Sequence, residues 1–348
     1  MNKQTSDIIH MNRILIRILF AGVLIFCGYI SLAQNKDPWL QYAPSADLAN
    51  GKHIVLIGGD EEYRSEQSLP MLARILSKYH GFRTTVLFSI NPETGFVDPN
   101  FQQNIPGLDL LETADLMIIA TRFRELPDDQ MQYIHKYLLA GKPVIGLRTA
   151  THAFHYSRNP KNKYAKYGYK SMEKGWEGGF GKHILGENWV NHHGVHGKQG
   201  TRGLINGLEV TGTDPILKGV SDVWAATDLY GIKSLPADSK VLLWGQVTES
   251  LDPSGRLIWT RPVMPVAWTR TYLSESGKRG RVFTTTMGAA IDFISEDLRR
   301  LVVNASYWAV GLEKNIPQRS NVDFVGNYEP AMFGVNGFLK GKRPEDYK

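Results

Sequence analysis

The run His53-Ile54-Val55-Leu56-Ile57-Gly58-Gly59 is apolar without interruption until it ends in two glycines, and apolar residues at helical spacing follow over residues 69–79. A strand with no polar alternation is buried on both faces, so the sheet containing it must be covered above and below. The pattern then recurs, with a second short strand over residues 84–88, a third without alternation over 115–120 and a fourth over 143–148. Between the last two, residues 128–139 read as a helix, opened by Pro127 and two aspartates and closed by Gly141. Strands alternating with helices in this way predict the α/β class, a flavodoxin-like, doubly wound and mostly parallel sheet. Further short strands over 240–244, 263–270 and 281–286 return to the sheet, and an amphipathic helix over 296–310 closes it.

Arg13 and Arg17 precede an apolar run over 20–32, and Ser31 and Ala33 stand at signal-peptidase spacing, so residues 1–33 read as a cleaved leader of a protein exported to the periplasm or beyond. The run is too short for a permanent membrane span, which needs about 20 apolar residues. The chain's one cysteine, Cys27, falls inside this leader, where bulky Phe26 argues against lipidation. Cleavage leaves no thiol, which excludes disulfides, thiolate nucleophiles and cysteine metal sites together. Residues 34–50 form a Pro-containing lead, 51–312 the α/β domain and 313–348 an irregular tail. Lys3, Arg13 and Arg17 against Asp7 remove two charges from the formal +6, leaving about +4. An excess this mild in an exported protein does not point to nucleic acid.

Ligands of doubly wound sheets bind beyond the carboxyl ends of the strands. Those ends carry Asp60, Glu61, Glu62, Tyr63 and Arg64 after the first strand, Arg122 and Arg124 after the third, and Arg148, Thr149, Thr151, His152 and His155 after the fourth. Helix caps and surface ion pairs account for some such residues in any protein, but the end of a central strand seldom spends an Arg and a His on solvation. The fourth strand and its turn have the strand, sharp turn and helix of a nucleophile elbow, yet no Cys or Ser sits there. Amidotransferase chemistry is therefore not expected.

Five of the ten histidines fall in two windows, His152 with His155 and His192 with His193 and His196. His152, His155 and His193, completed by a carboxylate such as Glu62 or Glu177, are candidate ligands for a divalent ion such as zinc. The competing reading has them hydrogen-bonding substrate or bracing loops. Residues 156–200 lack regular patterning and are rich in Lys, Tyr, Gly, Trp and His, so Trp176 is a candidate for stacking on a sugar face, or for ordinary loop packing.

Several strings together resemble the ThuA-like, trehalose-utilisation family: Gly59-Asp60-Glu61-Glu62-Tyr63-Arg64-Ser65-Glu66 with Leu69-Pro70, Gly146 through Phe154, His193-Gly194, Pro265 through Arg270, Gly280 through Phe283 and Trp308 through Gly311. The resemblance covers residues 51 to about 312. It implies a class I glutamine amidotransferase-like fold without the catalytic cysteine, and a role in carbohydrate metabolism through keto-sugars. This chain has Gly288-Ala289 where many relatives resemble Gly-His. The expectation is cleavage of a keto-glycoside or disaccharide by proton abstraction, with His152 or His155 as base, Arg148, Arg122 or a bound metal as cation and Glu62 or His193 as acid. Asp60, Tyr63, Arg64, Trp176 and His193 would bind the small carbohydrate. A non-catalytic sugar-binding protein and a metal-dependent hydrolase are the alternatives.

Overall fold

In a computed structural model that describes residues 37–205 and 214–348, the predicted strands line up in one sheet. The expected leader, residues 1–33, lies outside the described residues. In chain order the strands are β1 (Trp39–Tyr42), β2 (His53–Gly59), β3 (Arg83–Leu87), β4 (Leu116–Thr121), β5 (Val144–Leu147), β6 (Asn191–His192), β7 (Thr201–Ile205), β8 (Val223–Ala225), β9 (Tyr230–Gly231), β10 (Lys240–Val247), β11 (Met264–Leu273) and β12 (Arg279–Thr285). Ten of them form the main sheet in the order β1-β3-β2-β4-β5-β12-β11-β10-β7-β8, and β6 pairs with β9 apart from it.

The centre of the sheet, β3-β2-β4-β5-β12, is parallel, with Leu56 level with Ile118, Ile118 with Ile145, and Ile145 with Phe283. Alternation divides the buried residues of β2 between two cores, since successive strand side chains point to opposite faces. Ile54 and Leu56 join Leu72, Ile75 and Leu76 of α1 (Ser65–His80) and Leu298, Leu301 and Val302 of α3 (Glu296–Ala309). Val55 and Ile57 join Met131, Ile134 and Leu138 of α2 (Asp128–Leu139) on the other face. Each such side chain, removed from water, contributes about 1.5–3 kcal/mol before entropy is counted. Helices on both faces of a parallel core establish the flavodoxin-like, doubly wound α/β class.

The chain departs from its sequence pattern in three places. Trp39–Tyr42, within the expected lead, pairs antiparallel with β3 as an edge strand, because backbone pairing needs no long apolar pattern. Helix α1 starts at Ser65, four residues before the apolar spacing begins, directly after Arg64 in the left-handed region at φ 62°. Beyond β12 the sheet is antiparallel through β11, β10, β7 and β8. Residues 313–348 hold only two short 3-10 turns, Glu313–Asn315 and Pro344–Tyr347. Among the described residues no helix is long and apolar enough to cross a membrane.

Candidate functional site

The turns after β2 and β5 meet. Asp60 Oδ1 accepts the backbone N–H groups of Glu62 and Tyr63 at 2.8 and 3.0 Å, while Oδ2 accepts the Thr149 hydroxyl at 2.5 Å. Asp60 is thus consumed in shaping its own turn and tying it to the neighbouring one. Arg64 is spent similarly: its buried guanidinium donates to the carbonyls of Glu62 at 3.2 Å and Gly334 at 2.6 Å. Neither presents itself to a substrate, contrary to the sequence expectation.

At the elbow after β5, Arg148 takes the strained position, with φ 43° where non-glycine residues rarely sit. Gly288 makes room for it: a Cβ there would stand 3.1 Å from Leu147 Cβ and 3.4 Å from the Arg148 nitrogen, at a backbone φ of 143°. A histidine side chain one residue later is not needed for this turn, because Asp292 accepts the N–H groups of both Gly288 and Ala289 at 3.0 Å. The Arg148 guanidinium lies between the rings of Tyr63 and Tyr230, 4.6 and 3.9 Å from their centroids. It donates to the carbonyls of Asp228 and Thr286 at 2.7 and 2.8 Å and to the Asp228 carboxylate at 3.1 Å. With its charge buried and committed, Arg148 cannot be the cation facing a reacting group; it positions Asp228.

Asp228 is the hub that the sequence did not reveal. Its fully buried carboxylate accepts from His192 Nδ1 at 2.7 Å through one oxygen and from His196 Nδ1 at 2.9 Å through the other. Burial would raise this carboxyl, but Arg148 and the hydrogen bonds from the two histidines prevail and hold it at about 2. The two imidazole centroids are 4.6 Å apart, and both rings are part-exposed. His196 faces a second carboxylate, with Nε2 3.0 Å from Glu62 Oε1. Arg122 joins Glu62 at 3.1 Å to Glu61 at 3.0 Å, and Arg124, wholly buried, pairs with Glu61 at 3.3 Å. Guanidinium and carboxylate groups therefore alternate along Arg124, Glu61, Arg122 and Glu62, and His196 lies between the carboxylates of Glu62 and Asp228.

The remaining expected site residues lie elsewhere or play other parts. His152 is buried among Phe123, Tyr169, Trp189 and Tyr230. Burial first, then the charges of Arg122 and Arg148, push its pKa well below the ordinary histidine value, which makes it a weak base. His155 lines a cavity of about 280 Å3 with Tyr156, Lys166, Lys170 and Met172, whose lining includes none of His192, His196, Glu62 or Asp228. Trp176 donates to Glu275 at 3.1 Å and packs on Tyr167 and His183. His193, one residue past β6, reaches the Pro262 carbonyl at 2.8 Å. His152, His155 and His193 are therefore not gathered as one ligand set. Among the described residues the group whose ligand atoms lie within 4.8 Å of one another is His192, His196 and Asp228. The pair at spacing four was visible in the sequence; its partner Asp228, with no spacing relation to it, was not.

These features define a class: an α/β protein with an amidotransferase-like elbow that carries a guanidinium in place of a nucleophile, and an imidazole pair on a buried carboxylate beside it. The ThuA family, described as trehalose utilisation, matches residues 97–309, and the chain belongs to it. It is similar to the crystal structure of a ThuA-like protein from Parabacteroides merdae, 18% identical, covering 85% of this chain and 99% of that one with a TM-score of 0.46. A ThuA-like protein from Bacteroides uniformis is 16% identical, covering 79% of this chain and 98% of that one with a TM-score of 0.47. No curated protein matches the chain.

Proposed function

We propose that this protein is an exported carbohydrate-processing enzyme that cleaves a keto-glycoside by acid–base elimination, with His192 as base and His196 as acid. The observation that carries this reading is the pair of part-exposed imidazoles held on one buried carboxylate. With Nδ1–H donated to Asp228, His192 is left with Nε2 as its basic nitrogen, the arrangement by which a carboxylate fixes a histidine's tautomer. His196 meets a carboxylate at each nitrogen, and both contacts are satisfied only when both nitrogens carry hydrogen, the form that gives up a proton.

A ketone acidifies the C–H beside it. His192 Nε2 takes that proton, the electron pair forms an enolate, and the enolate expels the glycosidic oxygen from the carbon β to the ketone. The leaving oxygen takes its proton from His196, and water adds across the resulting double bond to restore the keto-sugar. Arg122, at the edge of the carboxylate pair, supplies positive charge for the enolate oxygen. Incubation of the purified full chain with 3-keto-trehalose and with trehalose, following glucose release and deuterium exchange at the acidified carbon, tests this reading. Release from the keto-sugar alone is expected, lost in His192→Asn; neither release nor exchange from the keto-sugar would remove it and leave a binding protein.

A second reading has one observation of its own, the two imidazoles and carboxylate within 4.8 Å. Two nitrogens and one oxygen suit zinc or a similar divalent ion, which would polarise the ketone or a water when bound. His192, His196 and Asp228 would hold it, the imidazole nitrogens exchanging their hydrogen bonds to Asp228 for the ion. Elemental analysis of the untagged protein decides: a stoichiometric metal lost in His196→Ala favours this reading, and none after supplementation with zinc, manganese and cobalt rejects it.

A further inference from the structure

Four rings stand in sequence across the site. Trp189 lies 5.5 Å from His192, His192 4.6 Å from His196, and His196 5.5 Å from Phe333, centroid to centroid. Both end rings are part-exposed, whereas the aromatic rings beneath them, Tyr63 and Tyr230, are buried against Arg148. A flat apolar ring left open beside polar hydrogen-bonding groups is the combination that receives the C–H face of a sugar while its hydroxyls are bonded from the side.

Phe333 comes from the tail, beyond the residues matched by the family. Backbone bonds seat its segment on the first loop: Gly334 N–H donates to the Glu62 carbonyl at 2.8 Å, Asn336 N–H to the Glu61 carbonyl at 3.1 Å, and Ala331 N–H to Gln67 Oε1 at 2.9 Å. A Cβ at Gly337 would meet the Arg64 guanidinium, itself held by the Glu62 and Gly334 carbonyls. The same two residues whose side chains hold Arg122 thus hold, through their carbonyls, the strand of chain that bears Phe333. The ring packs at 5.5 Å on Tyr63, which fixes it at the His196 end.

We propose that Trp189 and Phe333 are two ring-stacking platforms at either end of the imidazole pair, so that the ligand is a two-ringed carbohydrate with its linkage over His192 and His196, and that the tail residue Phe333 sets this preference. This rests on the carbohydrate reading above but not on its chemistry. Each platform grips one ring of the ligand, and a monosaccharide engages only one of them.

Calorimetric titration of the full chain with trehalose and with glucose tests it in the wild type, Phe333→Ala, Phe333→Trp and Trp189→Ala. Trehalose is expected to bind at least about tenfold more tightly than glucose, and each alanine variant to lose about tenfold of the trehalose affinity, the worth of one aromatic contact. Phe333→Trp restores it. Circular dichroism and the melting temperature confirm folding of each variant. Equal affinities for the two sugars, wild-type trehalose affinity in Phe333→Ala with Trp189→Ala, or binding of neither sugar by the wild type overturns the proposal. Weakened trehalose binding in the variants of a protein that cleaves no keto-sugar would sink the acid–base mechanism and leave the platforms standing.

Discussion

Arg148 Nη2 and Asp228 Oδ1 are 3.1 Å apart, in a pair from which solvent is almost wholly excluded. Both groups are buried, and both part-exposed imidazoles hang on Asp228. The elbow position that bears the nucleophile in enzymes of the elbow type has here become the footing of a site one layer further out.

Replacing Arg148 by Met removes one partner of a buried ion pair and strands the other. A loss of about 3–5 kcal/mol is expected in chemical denaturation at neutral pH. Arg148→Met combined with Asp228→Asn should recover part of that loss, since the stranded charge is then gone.

Asp228→Asn keeps the shape of the carboxylate but strands the buried Arg148 charge, so a stability loss of the size expected for Arg148→Met accompanies it. The amide can no longer accept from both imidazoles, so the tautomer of one is lost, and turnover of a keto-glycoside should fall by about 10^2- to 10^4-fold with KM little changed. Because the Asp228 pKa is depressed to about 2, the stabilisation that its ionised form gives is complete above the ordinary Asp value and is lost as pH falls through 2. An acid limb of activity between pH 5 and 7 therefore belongs to another group, and a pH–rate profile of the wild type should retain it.

Glu66 lies buried at the start of α1, and burial raises its pKa to about 7 against its own backbone N–H and the Arg64 charge, which lower it. A carboxyl raised in the folded state favours folding while protonated, so its contribution is lost as pH climbs from the unfolded value of 4.5 towards 7. Glu66→Gln should stabilise the protein by up to about 3 kcal/mol at pH 8 and by little at pH 4, read from melting temperatures across that range. Equal effects at both pH values would contradict the assignment.

The parallel core was legible in the sequence because strands buried on both faces cannot alternate, and β2, β4 and β5 do not. The antiparallel wing was less so, since periodicity records burial and not strand direction. Of the site, the turns bearing Asp60–Arg64 and Arg148–His152 were found from strand ends, but their roles were misread. A strand end says where a side chain starts, whereas Arg148 and His152 both turn inward, one onto Asp228 and the other into a box of rings. Asp228 itself stands between short strands with no repeating pattern about it, and Phe333 lies in a tail without periodicity, so only folding in three dimensions brings them to the histidines.

The Thr149 hydroxyl should contribute through its bond to Asp60. Thr149→Val keeps the volume and leaves a buried carboxylate oxygen without its donor, at an expected 1–3 kcal/mol, roughly, in equilibrium unfolding. A change under about 0.3 kcal/mol would show that the bond is dispensable.

That single bond between Thr149 and Asp60 also joins the ends of β2 and β5. It makes one anvil of two strand ends, and the histidine-bearing segment is strapped across it, by Trp189 N–H on the Thr151 carbonyl at one end and through both imidazoles on Asp228 at the other. Slow amide exchange at both turns, and at His193 and Gly194 whose N–H groups donate to the Leu229 carbonyl, is the signature of a site clamped in this way.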